Sequence, residues 1–254
     1  MSPSGTEPAD WQRGPGTLLC AVPQREPLSA PLLGALAILA GLVGGWLVLG
    51  VGALAQGGAG ALAGFPWHGI RFLPTWLPRA DLSLDGTHAA GAWAAVLLAG
   101  PLAALVVGFA VHALAEGLGA PPAVRVLAYE VFAASWLQVP LLMLAAGFPQ
   151  AGGPFSALYE RLGEPQSGRW AVVVLGGLAL WGIARVVGEQ AVAVGGGWLR
   201  VDGREFRRRV AVLLAAWPFA AAVAVATFER AFGPPLWPLA GAVLVGTVVW
   251  FRTP

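Results

Sequence analysis

Arg185 and Glu189 stand one helical turn apart within a mostly apolar stretch that begins at Trp170. A charge at the bilayer centre costs about 2.5 to 3.5 kcal/mol on insertion scales, so such a pair marks either a polar path or a helix end that reaches the interface. Arg169 and Arg185 lie sixteen residues apart, about 24 Å along a helix, which nearly spans a hydrocarbon core and favours Arg185 snorkelling outward. Glu130 raises the same question on another apolar stretch, with Tyr129, Ser135 and Gln138 nearby. It sits about two turns from the expected helix start, where an acid suits the positive end of the dipole. The alternative for Glu130 is a protonatable acid facing a cavity.

Other candidate chemistry is incomplete. Asp81, Asp85 and His88 follow i, i+4, i+7 spacing and on a helix would share one face, as a metal site needs. The adjoining Gly86-Thr87 favours Asp85 or Thr87 as a helix cap instead. His112 with Glu116 lacks the second histidine of His-Glu-x-x-His, and no Gly-x-Ser-x-Gly elbow occurs, so neither zinc-assisted nor serine hydrolysis is expected. His88 and His112 are 24 residues apart, about 36 Å on one helix, which is too far for bis-histidine haem. The residues predict no catalysis, no metal and no cofactor. Cys20 is the single cysteine, so no intrachain disulfide framework can form.

The elements that must position these residues follow from composition. The 254 residues are 57% hydrophobic and 11% charged, with mean hydropathy +0.71, whereas a soluble domain carries about 25% charge. Stretches free of ionised side chains run over Pro27–Ile70, Gly86–Ala115, Val131–Tyr159, Val210–Phe228 and Ala231–Phe251. Crossings are predicted at 29–55, 89–116, 123–147, 170–194, 208–228 and 235–251. The fold class is therefore an all-α polytopic transmembrane bundle of about six spans, because helices pair every backbone group internally. Period-2 alternation is absent, which argues against a barrel. A disordered cytoplasmic tail is expected over 1–27 and a single transmembrane domain over 28–254.

All fifteen basic residues are arginine. Nine fall on the side of the N-terminal tail, the 117–122 turn, the 195–207 loop and the C-terminus; five fall on the other, with Arg185 within a span. The excess places both termini in the cytoplasm of a bacterial inner membrane. No basic stripe interleaved with aromatics is present, so nucleic acid is not an expected partner. Expected partners are the lipid bilayer and other membrane proteins or a second copy. The connection 57–88, with Phe65, Trp67, Phe72 and Trp76 among prolines and arginines, is expected to lie in the headgroup layer without a continuous helix. A short interfacial helix is expected at Phe155–Leu162. Pro101, Pro140 and Pro218 fall inside spans, and Gly41 with Gly45 suggests a close helix contact.

The order of features from Leu97-Leu98-Ala99-Gly100-Pro101-Leu102 through His112-Ala113-Leu114 to Leu118-Gly119, followed by Val124 to Tyr129, resembles the Yip-type (Rab-GTPase-interacting-factor-like) integral membrane family, bacterial branch. Pro140 and the later Trp181-Gly182 helix continue the likeness, which covers about residues 90–215. The sequence departs at Ala120-Pro121-Pro122 and predicts six spans where five are usual, which leaves the expected number at five to six. The resemblance implies a non-enzymatic protein that organises membranes or scaffolds partners. It carries over no catalytic residue; His112, Tyr129 and Pro140 are the positions matching the pattern. Two other classes stay open. A small-solute permease or channel subunit would need Glu130, Arg185 and Glu189 to line a polar cavity, and an accessory subunit of a larger complex would dock through the tryptophan-rich loop.

Overall fold

A computed structural model of the chain describes residues 30–72, 78–83, 89–147, 154–163, 166–196, 203, 207–215 and 236–253. The expected tail over 1–27, Asp85, His88, Trp76 and Pro218 lie outside the described residues. The described elements are α1 (Ala30–Leu62), β1 (Trp67–Phe72), β2 (Pro78–Leu82), α2 (Ala90–Gly117), α3 (Pro122–Ala145), α4 (Pro154–Leu162) and α5 (Gln166–Gly196), then α6 over 207–215 and α7 (Leu236–Arg252).

Four helices are long and apolar enough to cross a membrane, at Leu32–Leu62, Ala90–Gly117, Pro122–Ala145 and Gly168–Gly195. They match the first four predicted spans. Most of the fifth predicted span, beyond 215, lies outside the described residues, and α7 at 17 residues is a shorter apolar helix. Helix α4 coincides with the short helix expected at Phe155–Leu162.

Small residues line several of the helix contacts beside larger buried ones such as Trp93, Leu137 and Leu180. On α2 the buried face reads Gly100, Ala104, Gly108, His112 and Ala115, while Leu102, Val106, Phe109 and Leu114 point outward. On α5, Gly176, Ala184, Gly188 and Ala191 are buried and Val174, Leu178 and Trp181 are exposed. Small residues inside let helix backbones approach where lipid supplies no hydrophobic drive between helices. Backbone meets backbone at Gly52 and Gly100, where a Cβ added to Gly100 would meet the Gly52 carbonyl oxygen at 3.0 Å. A Cβ added to Gly44 would meet the Val131 nitrogen of α3 at 3.1 Å, whereas a Cβ on Gly45 would meet nothing within 4 Å. The close approach expected at Gly45 is thus one residue off, because the stripe Ala37, Ala40, Gly44 and Val48 faces inward.

Contacts between α2 and α3 run from Glu116–Arg125 to Gly108–Ser135, so the pair is antiparallel. Its turn is encoded locally. Gly119 takes φ 61°, and Ala120 N–H bonds the Ala115 carbonyl at 3.0 Å, the glycine-based stop of a Schellman motif. Pro122 then opens α3, where a missing N–H is harmless. Pro101 and Pro140 lie inside continuous helices.

The aromatic connection contains regular structure that the sequence did not suggest. Strands β1 and β2 form an antiparallel hairpin with a bulge between Trp67 and Gly69. It lies along the last three turns of α1, with Pro78 against Gly50, Trp67 on Gly57 and Leu82 on Gly60. Phe65 meets Trp93 edge-on at 5.0 Å and ties the hairpin's root to α2. Asp81 is on β2, so helical spacing with Asp85 and His88 does not apply to it.

Replacing Gly100 by valine should lower the stability of the detergent-purified chain by about 1 to 3 kcal/mol, the usual cost of overpacking. Gly45→Ala should leave it unchanged, and thermal unfolding of both variants checks the contrast.

Candidate functional site

The polar residues of the spans gather at one end of the bundle. Tyr129 on α3 donates to the Val187 carbonyl of α5 at 3.3 Å, and Gly176 of α5 packs on the Pro140 carbonyl, so α3 and α5 are antiparallel. Val187 is therefore level with the first turns of α3 and the last turns of α2. At this end Arg125 grips Glu116 with two parallel bonds of 2.8 Å across the α2–α3 turn. His112 Nε2 and Gln190 Oε1, 3.2 Å apart, join α2 to α5. The starts of α6 and the last residues of α7 reach the same end, through Gly195–Val210 and Gly188–Thr253. Arg208 bonds the Thr253 carbonyl at 3.3 Å, and the Arg252 guanidinium lies 4.9 Å from the Trp181 ring.

The three charged candidates are not brought together. Arg185 and Glu189 pair with each other at 2.8 Å on the outer face of α5, with side chains 59% and 42% exposed, in line with Leu178 and Trp181. Glu130 is buried on α3, 2% exposed, and its Oε1 has no hydrogen-bond partner. Its backbone lies directly under Gly44 of α1. Such a carboxyl is costly within a membrane and is held there by the packing around it. His112 is also buried, its ring stacked on Phe132 at 4.9 Å and its Nδ1 unpartnered.

The family-pattern positions share a structural property. His112, Tyr129 and Pro140 are all buried, and each makes a contact between helices. Gln190 was missed from the sequence; the only signal was a second polar residue beside Glu189 on the same helix. Phe132 was missed as the neighbour of His112, as was Trp136, which packs on Phe132 at 5.6 Å and whose buried Nε1 has no partner.

A groove of about 450 Å³ opens between α1, α2 and α3. It is lined by apolar side chains such as Leu47, Val48, Val107, Val111 and Leu127, with Ser135 at its deep end. Ser135 donates to the Val131 carbonyl at 2.7 Å, so even this hydroxyl is turned inward on its own helix. Neither Glu130, Arg185 nor Glu189 lines it. Among the described residues no group of three His, Cys, Asp or Glu is placed to hold a metal ion.

No family model, curated protein or solved structure matches this chain. The Yip-type likeness therefore rests on the sequence pattern alone.

The His112–Gln190 bridge should be worth about 0.6 kcal/mol, the mean for interhelical hydrogen bonds in membranes. A double-mutant cycle with His112→Ala and Gln190→Ala, read by unfolding in mild detergent, should return a favourable coupling of that size.

Proposed function

We propose that this chain is a non-enzymatic multi-pass membrane protein that organises the bilayer or scaffolds other membrane proteins, of the Yip-like kind, in a bacterial inner membrane. The observation that carries this reading is the self-contained Arg185–Glu189 pair on the outer face of α5. A solute path built on the three charged candidates needs them around one cavity, whereas two satisfy each other outside the bundle and the third is enclosed. Support also comes from the apolar lining of the groove, which offers nothing to replace the hydration of a polar solute. Both termini are cytoplasmic in this reading. What supports the orientation is that Arg125, Arg185, Arg207, Arg208, Arg209 and Arg252 share one end of the bundle with the close of α7.

One observation favours the permease alternative, the unpartnered Oε1 of buried Glu130. Single cysteines at 130, 185 and 189 in a Cys20→Ser background separate the two. Under the scaffold reading, a small membrane-impermeant thiol reagent labels positions 185 and 189 from the cytoplasmic side and leaves 130 unlabelled. Labelling at 130 that a solute protects against would transfer the argument to transport. A reporter active only outside the cytoplasm, fused after Pro254, should be silent; activity there would reverse the orientation.

A further inference from the structure

The hairpin carries a charge arrangement that its own fold does not settle. Arg71 on β1 and Arg79 on β2 are register partners, and both are exposed. Residues directly opposite in an antiparallel pair point to the same face with Cβ atoms about 4.5 to 5.5 Å apart, and like charges so placed repel. Asp81 is on the same face, opposite Gly69, but makes no ion pair within 4.0 Å of either arginine. Two guanidiniums and one carboxylate leave this face with one net positive charge.

Its depth follows from the helices. Gly108 packs on Ser135, which puts the end of α3 at Ala145 level with about residue 98 of α2. Beyond that level α1 and α2 continue by about two turns, or about 12 Å. The hairpin lies along α1 with its Trp67–Leu82 end on this projecting part and its Arg71–Arg79 end beside Gly50. Gly50 is about 30 Å from the start of α1 at Ala30, one hydrocarbon thickness. The face opposite the arginines carries Ile70, Ala80, Pro78 and Leu82 towards the helix. Phe72 and Trp67, register partners of Pro78 and Leu82, lie on the face opposite the arginines and stay 52% and 38% exposed. Aromatic rings at the edge of an apolar span belong at headgroup level, where the nearest abundant anion is a phosphodiester.

We propose that Arg71 and Arg79 together hold the phosphate of one anionic lipid headgroup. Two guanidiniums carried from opposed positions on one face suit a phosphate, whose oxygens accept charge-assisted bonds. A monoanionic lipid cancels the one net charge of the face; a zwitterionic lipid brings its own cation and does not. The assignment rests on the bilayer placement of the spans and not on the scaffold reading.

The test is native mass spectrometry of the full chain in detergent, titrated with phosphatidylglycerol or with phosphatidylcholine. The wild type should retain one phosphatidylglycerol in preference to phosphatidylcholine, and Arg71→Gln or Arg79→Gln should each weaken that retention about fivefold, the usual value of one basic residue at an anionic surface. Inorganic phosphate should not displace the lipid. Undiminished phosphatidylglycerol retention in the double variant would overturn the proposal, as would equal retention of the two lipids by the wild type. Displacement by millimolar phosphate would overturn the lipid as the source of the phosphate. The double variant removes a repulsive pair and should melt no lower than wild type; if it does not fold, the wild-type comparison of the two lipids decides alone.

Discussion

Backbone contact between helices at glycine is the constraint on which the rest of this structure depends. In lipid the helices gain nothing from hiding apolar side chains, so association relies on close packing and a few polar bonds. Gly52 against Gly100, Gly44 against Val131 and Gly176 against Pro140 and Met143 bring α1, α2, α3 and α5 close together. The larger residues Leu102, Val106, Phe109 and Leu178 are then left for the outer surface. Only at this separation can the short reach of His112 to Gln190, or of Tyr129 to the Val187 carbonyl, be spanned.

That packing explains why the polar groups gather at one end. A hydrogen bond between helices adds little, about 0.6 kcal/mol on average, because polar groups find partners in the unassembled state too. A buried oxygen left without a partner costs about 1 to 3 kcal/mol. The balance favours placing ionised groups near the helix ends, where water or headgroups can reach them. Glu116 with Arg125 follows this rule, Arg185 meets Glu189 on the exposed outer face of α5, and Glu130, two turns into α3, is enclosed. Its enclosure beneath Gly44 is a cost the surrounding contacts must offset.

Much of this fold was legible because a span is a long signal. Long apolar stretches located the four long helices, and the turn expected at 117–122 falls between α2 and α3. The outward direction of Arg185 also agreed with its sixteen-residue distance from Arg169. The hairpin was illegible because its strands are six and five residues long and owe their place to Gly57 and Gly60 of α1, not to their own alternation. Gly45 was misread for a related reason: small residues are so frequent that spacing alone does not say which of two neighbours faces inward. His112 and Gln190 are separated by 78 residues, and no local pattern announces a partner at that distance.

The two ends of the bundle consequently ask different things of their surroundings. At the α2–α3 turn and on the outer face of α5, the charges of Glu116 and Arg125 and of Arg185 and Glu189 are cancelled in pairs by the chain itself. At the hairpin, opposed arginines are presented by a two-stranded sheet too small to bury them and with no carboxylate in ion-pair range among the described residues. A sheet of two strands is marginal by itself, and this one is held by α1 through glycines that admit Trp67 and Leu82. Repulsion within such a small element is tolerable when an outside anion offsets it. The asymmetry therefore assigns to the membrane surface at the hairpin a structural part that side chains perform at the opposite end.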